Sequence, residues 1–272
     1  MEMIDGKAIA DNILKKLKVR LVPKKFFGAV LVGDDKSSVS FLKQKEKTAK
    51  ELGIDFRLYR FSETIQNDEL RQEVGKIAAH KTCGGALIQL PLPAHLNQQY
   101  ILNAIPKEKD VDVLSERAIG AFYADRSILL PPAVGVVEEL IANRKLQIAH
   151  CSVAVVGLGF LVGRPVANWI MRRAKETLLL RSVSDLGFLK YADIVVTSVG
   201  KAGLIVPDML KDGAGVIDFG YGILDGKYSG DLDTRELAMS DSRLAFYTPT
   251  PGGTGPIDVA KLFENFYELN RE

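Results

Sequence analysis

Four lysines crowd the stretch SSVSFLKQKEKTAKELG, at positions 43, 45, 47 and 50, and one differs from the rest. At about 100° per residue a helix puts Leu42, Ala49 and Leu52 on one stripe, with Lys45 inside it and Lys43, Lys47 and Lys50 pointing away. Phe41 lies one turn before Lys45 on the neighbouring edge. A lysine on an apolar face has two fates. It snorkels its ammonium out to water, the commoner outcome, or it enters a sheltered space where loss of solvent suits it to general acid/base chemistry.

A second polar residue sits in apolar company. In GGALIQLPLP a run of aliphatic residues carries Gln89 at its end and then stops on two prolines. An unpaired amide in such surroundings costs roughly 1–3 kcal/mol, so Gln89 needs a partner. Open parallel sheets bind ligands beyond the carboxyl ends of their strands. Gln89 occupies such an end, Lys45 lies in the helix after a neighbouring strand, and the amide oxygen can accept a hydrogen bond from the amine. A third candidate comes from PKEKDVDVL, where Asp110 and Asp112 alternate with valines. Most aspartates in such places cap a helix or face water in a turn. The chemical alternative is a carboxylate that accepts hydrogen bonds from the ring N–H and amino groups of a heterocycle.

These residues need elements to position them, and the hydrophobic pattern supplies an alternation of strands and helices. Ile9, Ile13, Leu14 and Leu17 mark a first amphipathic helix. FGAVLVG (27–33) reads as a buried strand, with a helix over about 38–52 behind it. FRLYRF (56–61) is a second strand. Asn67 is placed to cap a helix whose Leu70, Val74, Ile77 and Ala78 share a face. GALIQ follows as a strand, then a short helix near 100–104. After PPAVGVVEELIANRKLQ the pattern begins again, with strands in VAVVG, TLLLRS, ADIVVTSVG and GAGVIDFG. This is βαβ alternation, and it predicts an α/β protein with parallel sheets and helices on both faces. The expected boundary lies near 115–120. Residues 1–115 with a returning final helix (257–272) form one domain, and 116–256 form a second, Rossmann-type domain.

In VAVVGLGFLVGRP, Gly157, Gly159 and Gly163 follow a strand and open a helix, with Leu158 and Val162 between them and Pro165 in the first helical turn. Glycines here permit a tight turn and close approach of a pyrophosphate to backbone amides at a helix N-terminus. The spacing carries one residue more than G-x-G-x-x-G. The same residues also fit a tight strand–helix turn with no ligand. Arg181 and Ser182 are the first polar residues after the next strand, and Asp185 comes later. A basic residue there accommodates the extra phosphate of NADP, which favours NADP over NAD, although the same position also suits a solvated loop arginine.

Composition narrows the remaining classes. With 36 basic and 34 acidic residues the net charge is +2, which gives no electrostatic reason to expect nucleic acid or a membrane as partner. Cys83 and Cys151 are the two cysteines, too few for a disulfide scaffold or a cysteine-rich metal site. The first 18 residues pattern as a mixed-charge amphipathic helix rather than a signal peptide, and no apolar run approaches the ~20 residues of a membrane span. The expectation is a soluble cytoplasmic protein.

Taken together, Lys45 in its helix, GALIQLPLP, KDVDV, VVGLGFLVGRP, SVGKAG, VIDFGYG, GKYSGDLD and TPTPGGTGPIDVAKL resemble the bifunctional methylenetetrahydrofolate dehydrogenase/cyclohydrolase family along nearly the whole chain. The resemblance implies a folate-binding domain and an NADP-binding Rossmann domain around a cleft, assembled as a homodimer. It implies oxidation of 5,10-methylenetetrahydrofolate by NADP to the methenyl cation, then hydrolysis to 10-formyltetrahydrofolate, within one-carbon metabolism and purine biosynthesis. No metal is required. By position, Lys45 resembles the catalytic lysine, Gln89 its hydrogen-bonding partner, and Asp112 the aspartate that anchors the pterin. These three form the expected catalytic set. Phe41, Pro251, Gly252 and Gly253 resemble the substrate-binding positions. Gly157, Leu158, Gly159, Val162, Gly163, Arg181, Ser182, Ser198, Val199 and Gly200 resemble the cofactor-binding ones. Four segments depart from the family pattern. Phe41-x-x-x-Lys45 replaces Tyr-x-x-x-Lys, Val113 stands where K-D-V-D-G has glycine, Leu158-Gly159 replaces an Arg/Ser phosphate turn, and Pro131-Pro132-Ala133 replaces P-C-T-P. Other readings remain open at this point. One is a dehydrogenase-only enzyme or an impaired, regulatory descendant. Another is a shikimate-type NADP dehydrogenase with a Lys/Asp pair, which accounts for the glycine turn but not for QLPLP or TPGGTGP.

Overall fold

The computed structural model describes residues 1–239 and 244–271. The elements follow in chain order. They begin with β1 (Glu2–Met3), α1 (Gly6–Lys18), β2 (Phe26–Val32), α2 (Lys36–Leu52), β3 (Phe56–Phe61), α3 (Asn67–Ala79), β4 (Cys83–Ile88), α4 (Gln98–Leu102), α5 (Glu116–Tyr123) and α6 (Pro132–Asn143). Then come β5 (Ser152–Val156), α7 (Gly163–Ile170), β6 (Glu176–Leu180), β7 (Ile194–Thr197), β8 (Gly215–Asp218), β9 (Gly222–Leu224), β10 (Lys227–Ser229), α8 (Thr234–Met239), β11 (Phe246–Tyr247) and α9 (Thr254–Leu269). No helix among the described residues is long and apolar enough to cross a membrane.

Two compact units emerge. One comprises Asp11–Pro132 and Val259–Glu272, the other Met1–Ala10 and Ala133–Asp258. In the first, a parallel sheet of order β3-β2-β4 is flanked in sequence by α2 and α3. β2 and β4 are buried along their whole length, as strands covered on both faces must be. Phe27 of β2 stacks on Phe266 of α9 with ring centroids 4.9 Å apart and meets Phe263 edge-on, which ties the returning helix to the sheet. Gly85 lets the chain after α4 cross β4 closely, because a Cβ there would lie 2.6 Å from Val111.

The second unit carries a six-stranded sheet of order β1-β11-β8-β7-β5-β6, in which every pairing is parallel. Val156, Leu189, Val195, Val216 and Leu232 sit in its core. Residues 1–10 lie with this sheet rather than with the unit that the rest of α1 joins, because β1 pairs with β11. The region at 115–120, expected as a boundary, opens α5 instead, and the first unit runs on to Pro132. Asn67 is the first residue of α3 rather than its cap. Its side-chain oxygen accepts from the Asn97 amide at 2.6 Å, so it anchors the loop before α4.

Candidate active site

Within the first unit, α2 buries Ser38, Leu42, Lys45, Ala49 and Leu52 as one stripe, while Lys43, Lys47 and Lys50 are exposed. The helix is fixed at its start by the Asp35 side chain, which accepts from the Ser38 amide at 2.7 Å. It ends on Gly53 in the left-handed region. Lys45 is only 9% exposed, and its Nζ donates to Gln89 Oε1 at 3.0 Å. Snorkelling is therefore not its fate. Gln89 extends the ladder of β4 by donating its amide to Val30 O at 2.9 Å. Its Nε2 donates to Leu90 O at 2.8 Å, which leaves Oε1 directed at the lysine. A neutral amide accepting from a buried ammonium is a charge-assisted bond in a place with few competing waters. Phe41 is half-buried one turn earlier on the same helix.

Asp112 completes the group. Burial pushes its carboxyl above the ordinary carboxylate range, and the Lys45 charge pulls it back down. Part of its surface still meets solvent. The two aspartates of KDVDV have different surroundings. Asp110 is buried and accepts the amides of Leu114 at 3.0 Å and Ser115 at 2.7 Å on Oδ2, so it closes its own turn. Burial raises its carboxyl to about 6, opposed by those amides and reinforced by the Asp112 charge. Directly after Asp112, Val113 stands at φ 58°, a left-handed backbone that a β-branched residue adopts only under constraint. The same turn is gripped from outside. Asn265 Nδ2 donates to Val111 O at 2.9 Å and to Leu130 O at 2.8 Å, and Lys109 Nζ donates to Ala78 O at 2.6 Å. Sequence reading missed Asn265. Its signal is an amide on an otherwise aromatic stretch, FENFY, the same anomaly that marked Gln89.

The second unit holds the glycine turn between β5 and α7. Gly157 has φ 86°, and a Cβ at Gly163 would lie 1.8 Å from Gly157 O. These two glycines are required by backbone contact. A Cβ at Gly159 would meet nothing within 4 Å, which suits close approach by a pyrophosphate. Leu158 O accepts from Arg164 Nε at 3.0 Å, Val162 precedes the helix, and Ser198 Oγ donates to Gly157 O at 3.1 Å. Thus Ser198, Val199 and Gly200, in the loop after β7, are joined to the glycine turn. Arg181 and Ser182 are exposed after β6, with the Arg181 amide donating to Ser184 Oγ at 3.0 Å. Asp185 accepts the Gly187 amide at 2.8 Å and caps a 3-10 turn at Leu186–Tyr191. These features fit a phosphorylated dinucleotide. The turn Pro251-Gly252-Gly253 is braced within this unit. Gly253 donates its amide to Pro249 O at 2.8 Å, and a Cβ at Gly6 would lie 1.7 Å from Gly253 O.

Comparison with known proteins gives this arrangement a family. Residues 4–112 match the catalytic domain of tetrahydrofolate dehydrogenase/cyclohydrolase, and residues 131–272 match its NAD(P)-binding domain. The chain belongs to the tetrahydrofolate dehydrogenase/cyclohydrolase family. A curated relative, the bifunctional protein FolD of Exiguobacterium sp., is 36% identical over 98% of both chains. The crystal structure of the bifunctional enzyme FolD from Campylobacter jejuni superposes with a TM-score of 0.93 at 29% identity, covering 100% of this chain and 99% of that one. The FolD structure of Trypanosoma brucei, complexed with NADP cofactor and an inhibitor, gives 0.92 at 26% identity over 99% and 97%. Membership in this family, through both halves, sets aside the shikimate-type reading.

Proposed function

We propose that the chain oxidises 5,10-methylenetetrahydrofolate with NADP and hydrolyses the resulting methenyl cation to 10-formyltetrahydrofolate. The observation that carries the reading is the 3.0 Å bond from Lys45 Nζ to Gln89 Oε1, with the Lys45 charge acting on Asp112. Asp112 anchors the pterin, its oxygens accepting from the ring N–H and the amino group, while Asp110 and Asn265 hold the turn that presents it. Phe41 offers an aromatic face to the substrate in place of a phenol. Pro251, Gly252 and Gly253 are assigned to the substrate on the TPGGTGP resemblance, and their hydrogen bonds account only for the bracing of the turn.

NADP, when bound, accepts the hydride that leaves the one-carbon bridge. The amides of the glycine turn and of α7 hold its pyrophosphate, Arg181 and Ser182 hold the extra phosphate, and the Ser198–Gly200 loop holds its far end. In the hydrolytic step water adds to the methenyl carbon and loses a proton. The carbon–nitrogen bond to N5 then breaks as N5 takes a proton. Lys45 Nζ carries protons between these atoms, and Gln89 keeps it oriented. A group that loses that proton relay loses hydrolysis first, whereas hydride transfer depends chiefly on positioning.

A homodimer belongs to the same proposal. β6 is an edge strand of its sheet, and Leu179 within it and Val183, Phe188 and Tyr191 in the segment that follows are exposed. Light scattering of the purified protein tests it.

The decisive assay follows NADP reduction with methylenetetrahydrofolate and, separately, the decay of methenyltetrahydrofolate. Lys45→Ala is expected to suppress the decay by about a hundredfold or more while NADP binding stays near wild type. An unchanged decay rate removes Lys45 from the mechanism.

A further inference from the structure

The motifs VIDFGYG and GKYSGDLD have no part in the site described so far, yet they converge on one buried acid. Asp231 has no exposed surface. Its Oδ2 accepts from Thr197 Oγ1 at 2.6 Å and from the Val199 amide at 2.7 Å, and its Oδ1 accepts from the Lys201 amide at 2.8 Å. All three donors come from the end of β7 and the loop that follows. The acid is itself held in register. Gly203 donates to Gly230 O at 3.0 Å, Ile205 to Asp231 O at 2.8 Å, and Asp233 back to Ile205 O at 2.9 Å.

A second acid lies beside it. Asp218, at the end of β8, accepts the amides of Gly220 at 2.6 Å and Leu232 at 2.9 Å. Burial pushes its carboxyl up to about 7, and the Asp231 charge adds to the rise. The glycines of both motifs make room for these acids. A Cβ on Gly220 would lie 2.4 Å from Asp231 Oδ1, and one on Gly230 would lie 2.1 Å from Asp218 Oδ2. Burying a carboxylate is costly unless donors surround it. Here the donors that it gathers belong to the segment carrying Ser198, Val199 and Gly200, whose serine reaches Gly157 O.

We propose that Asp231 is a positioning residue for the dinucleotide: its side chain holds the amides of Val199 and Lys201, so that the Ser198–Gly200 loop is already in its binding shape before the cofactor arrives. The inference rests on assigning that loop to NADP. A loop ordered in advance spends less of the binding free energy on its own ordering, so the effect belongs to affinity for the dinucleotide rather than to the chemical step.

Asp231→Asn keeps the shape but turns one acceptor into a donor facing a backbone N–H. One hydrogen bond to a charged group corresponds to roughly a ten- to hundredfold change in an equilibrium. The KM and Kd for NADP are expected to rise about tenfold or more. At saturating NADP, kcat and the KM for methylenetetrahydrofolate are expected to stay within about threefold of wild type. A folded variant with unchanged NADP affinity overturns the proposal. If the variant does not fold, amide hydrogen exchange on the wild-type protein decides. The Val199 and Lys201 amides are expected to be protected without cofactor, and exchange at open-loop rates until NADP is added overturns the proposal. A wild-type protein that protects both amides but binds no NADP instead overturns the assignment of the loop to the cofactor.

Discussion

Val113 makes a prediction that inverts the usual rule about glycine. The residue sits at φ 58° and is 2% exposed, directly after the acid assigned to the pterin. A branched side chain in the left-handed region costs about 1–3 kcal/mol. Replacing it by glycine removes that cost. It also forfeits the burial of the isopropyl group, about 1.5–3 kcal/mol, and adds chain entropy to the unfolded state, about 0.5–1 kcal/mol. The sum runs from about 3 kcal/mol lost to about 1 kcal/mol gained, centred near a loss of 1. Val113→Ala keeps most of the left-handed penalty and forfeits about two-thirds of the burial, a loss of about 1–2 kcal/mol. The two variants are therefore expected within about 1 kcal/mol of each other in urea unfolding. On ordinary backbone the glycine variant would fall below alanine by about 1–2 kcal/mol, from entropy and the lost methyl together. A gap that large would show that residue 113 carries no backbone strain and that the Asp112 turn is not held under constraint.

Two further outcomes follow from the same structure. Arg181→Ala is expected to raise the KM for NADP by about tenfold and leave that for NAD nearly unchanged, if the guanidinium reads the extra phosphate as proposed; an unaltered preference between the two cofactors in initial-rate assays would remove Arg181 as the phosphate reader. Asp218 gives a pH dependence with a definite sign. Its carboxyl stands at about 7 in the folded chain against an ordinary 3.8, so the folded state holds a proton that the unfolded chain has released. The stability from this group is complete below pH 4 and is lost as pH rises to about 7, by up to roughly 4 kcal/mol. Asp110, raised to about 6, adds a smaller fall over the lower part of that window. Thermal melts of wild type should therefore decline between pH 5 and 7.5, and Asp218→Asn should flatten the decline; parallel slopes would refute the assignment.

The sequence made the anomalies legible and left their resolution to the packing. A lysine on an apolar helix face and a glutamine ending an aliphatic strand were both readable, because polarity out of place is a local signal. That they bond at 3.0 Å follows from β2 and β4 being neighbours, which strand spacing alone left as an expectation. Residue type alone does not separate Asp110 from Asp112 in KDVDV, since two acids alternating with valines carry no mark of which one folds back on its own amides; the family resemblance alone singled out Asp112. The left-handed backbone at Val113 was hidden by the residue type, because β-branched side chains argue against it. Asn67 misled for the opposite reason. It is a good capping residue, but its amide serves a loop thirty residues on. Asp231 was invisible as well. Within GKYSGDLD nothing in its neighbours marks it, and only the fold brings the end of β7 against it.

The central claim is that Lys45 and Gln89 act as one unit on the hydrolytic step. A double-mutant cycle on methenyltetrahydrofolate hydrolysis tests it most directly. Lys45→Met is expected to lower kcat by about a hundredfold or more, and Gln89→Leu by about ten- to hundredfold. If the amide works through the amine, the double variant is no slower than Lys45→Met alone. If the two losses multiply, the residues act independently, and the bond between them is structural rather than part of the chemistry.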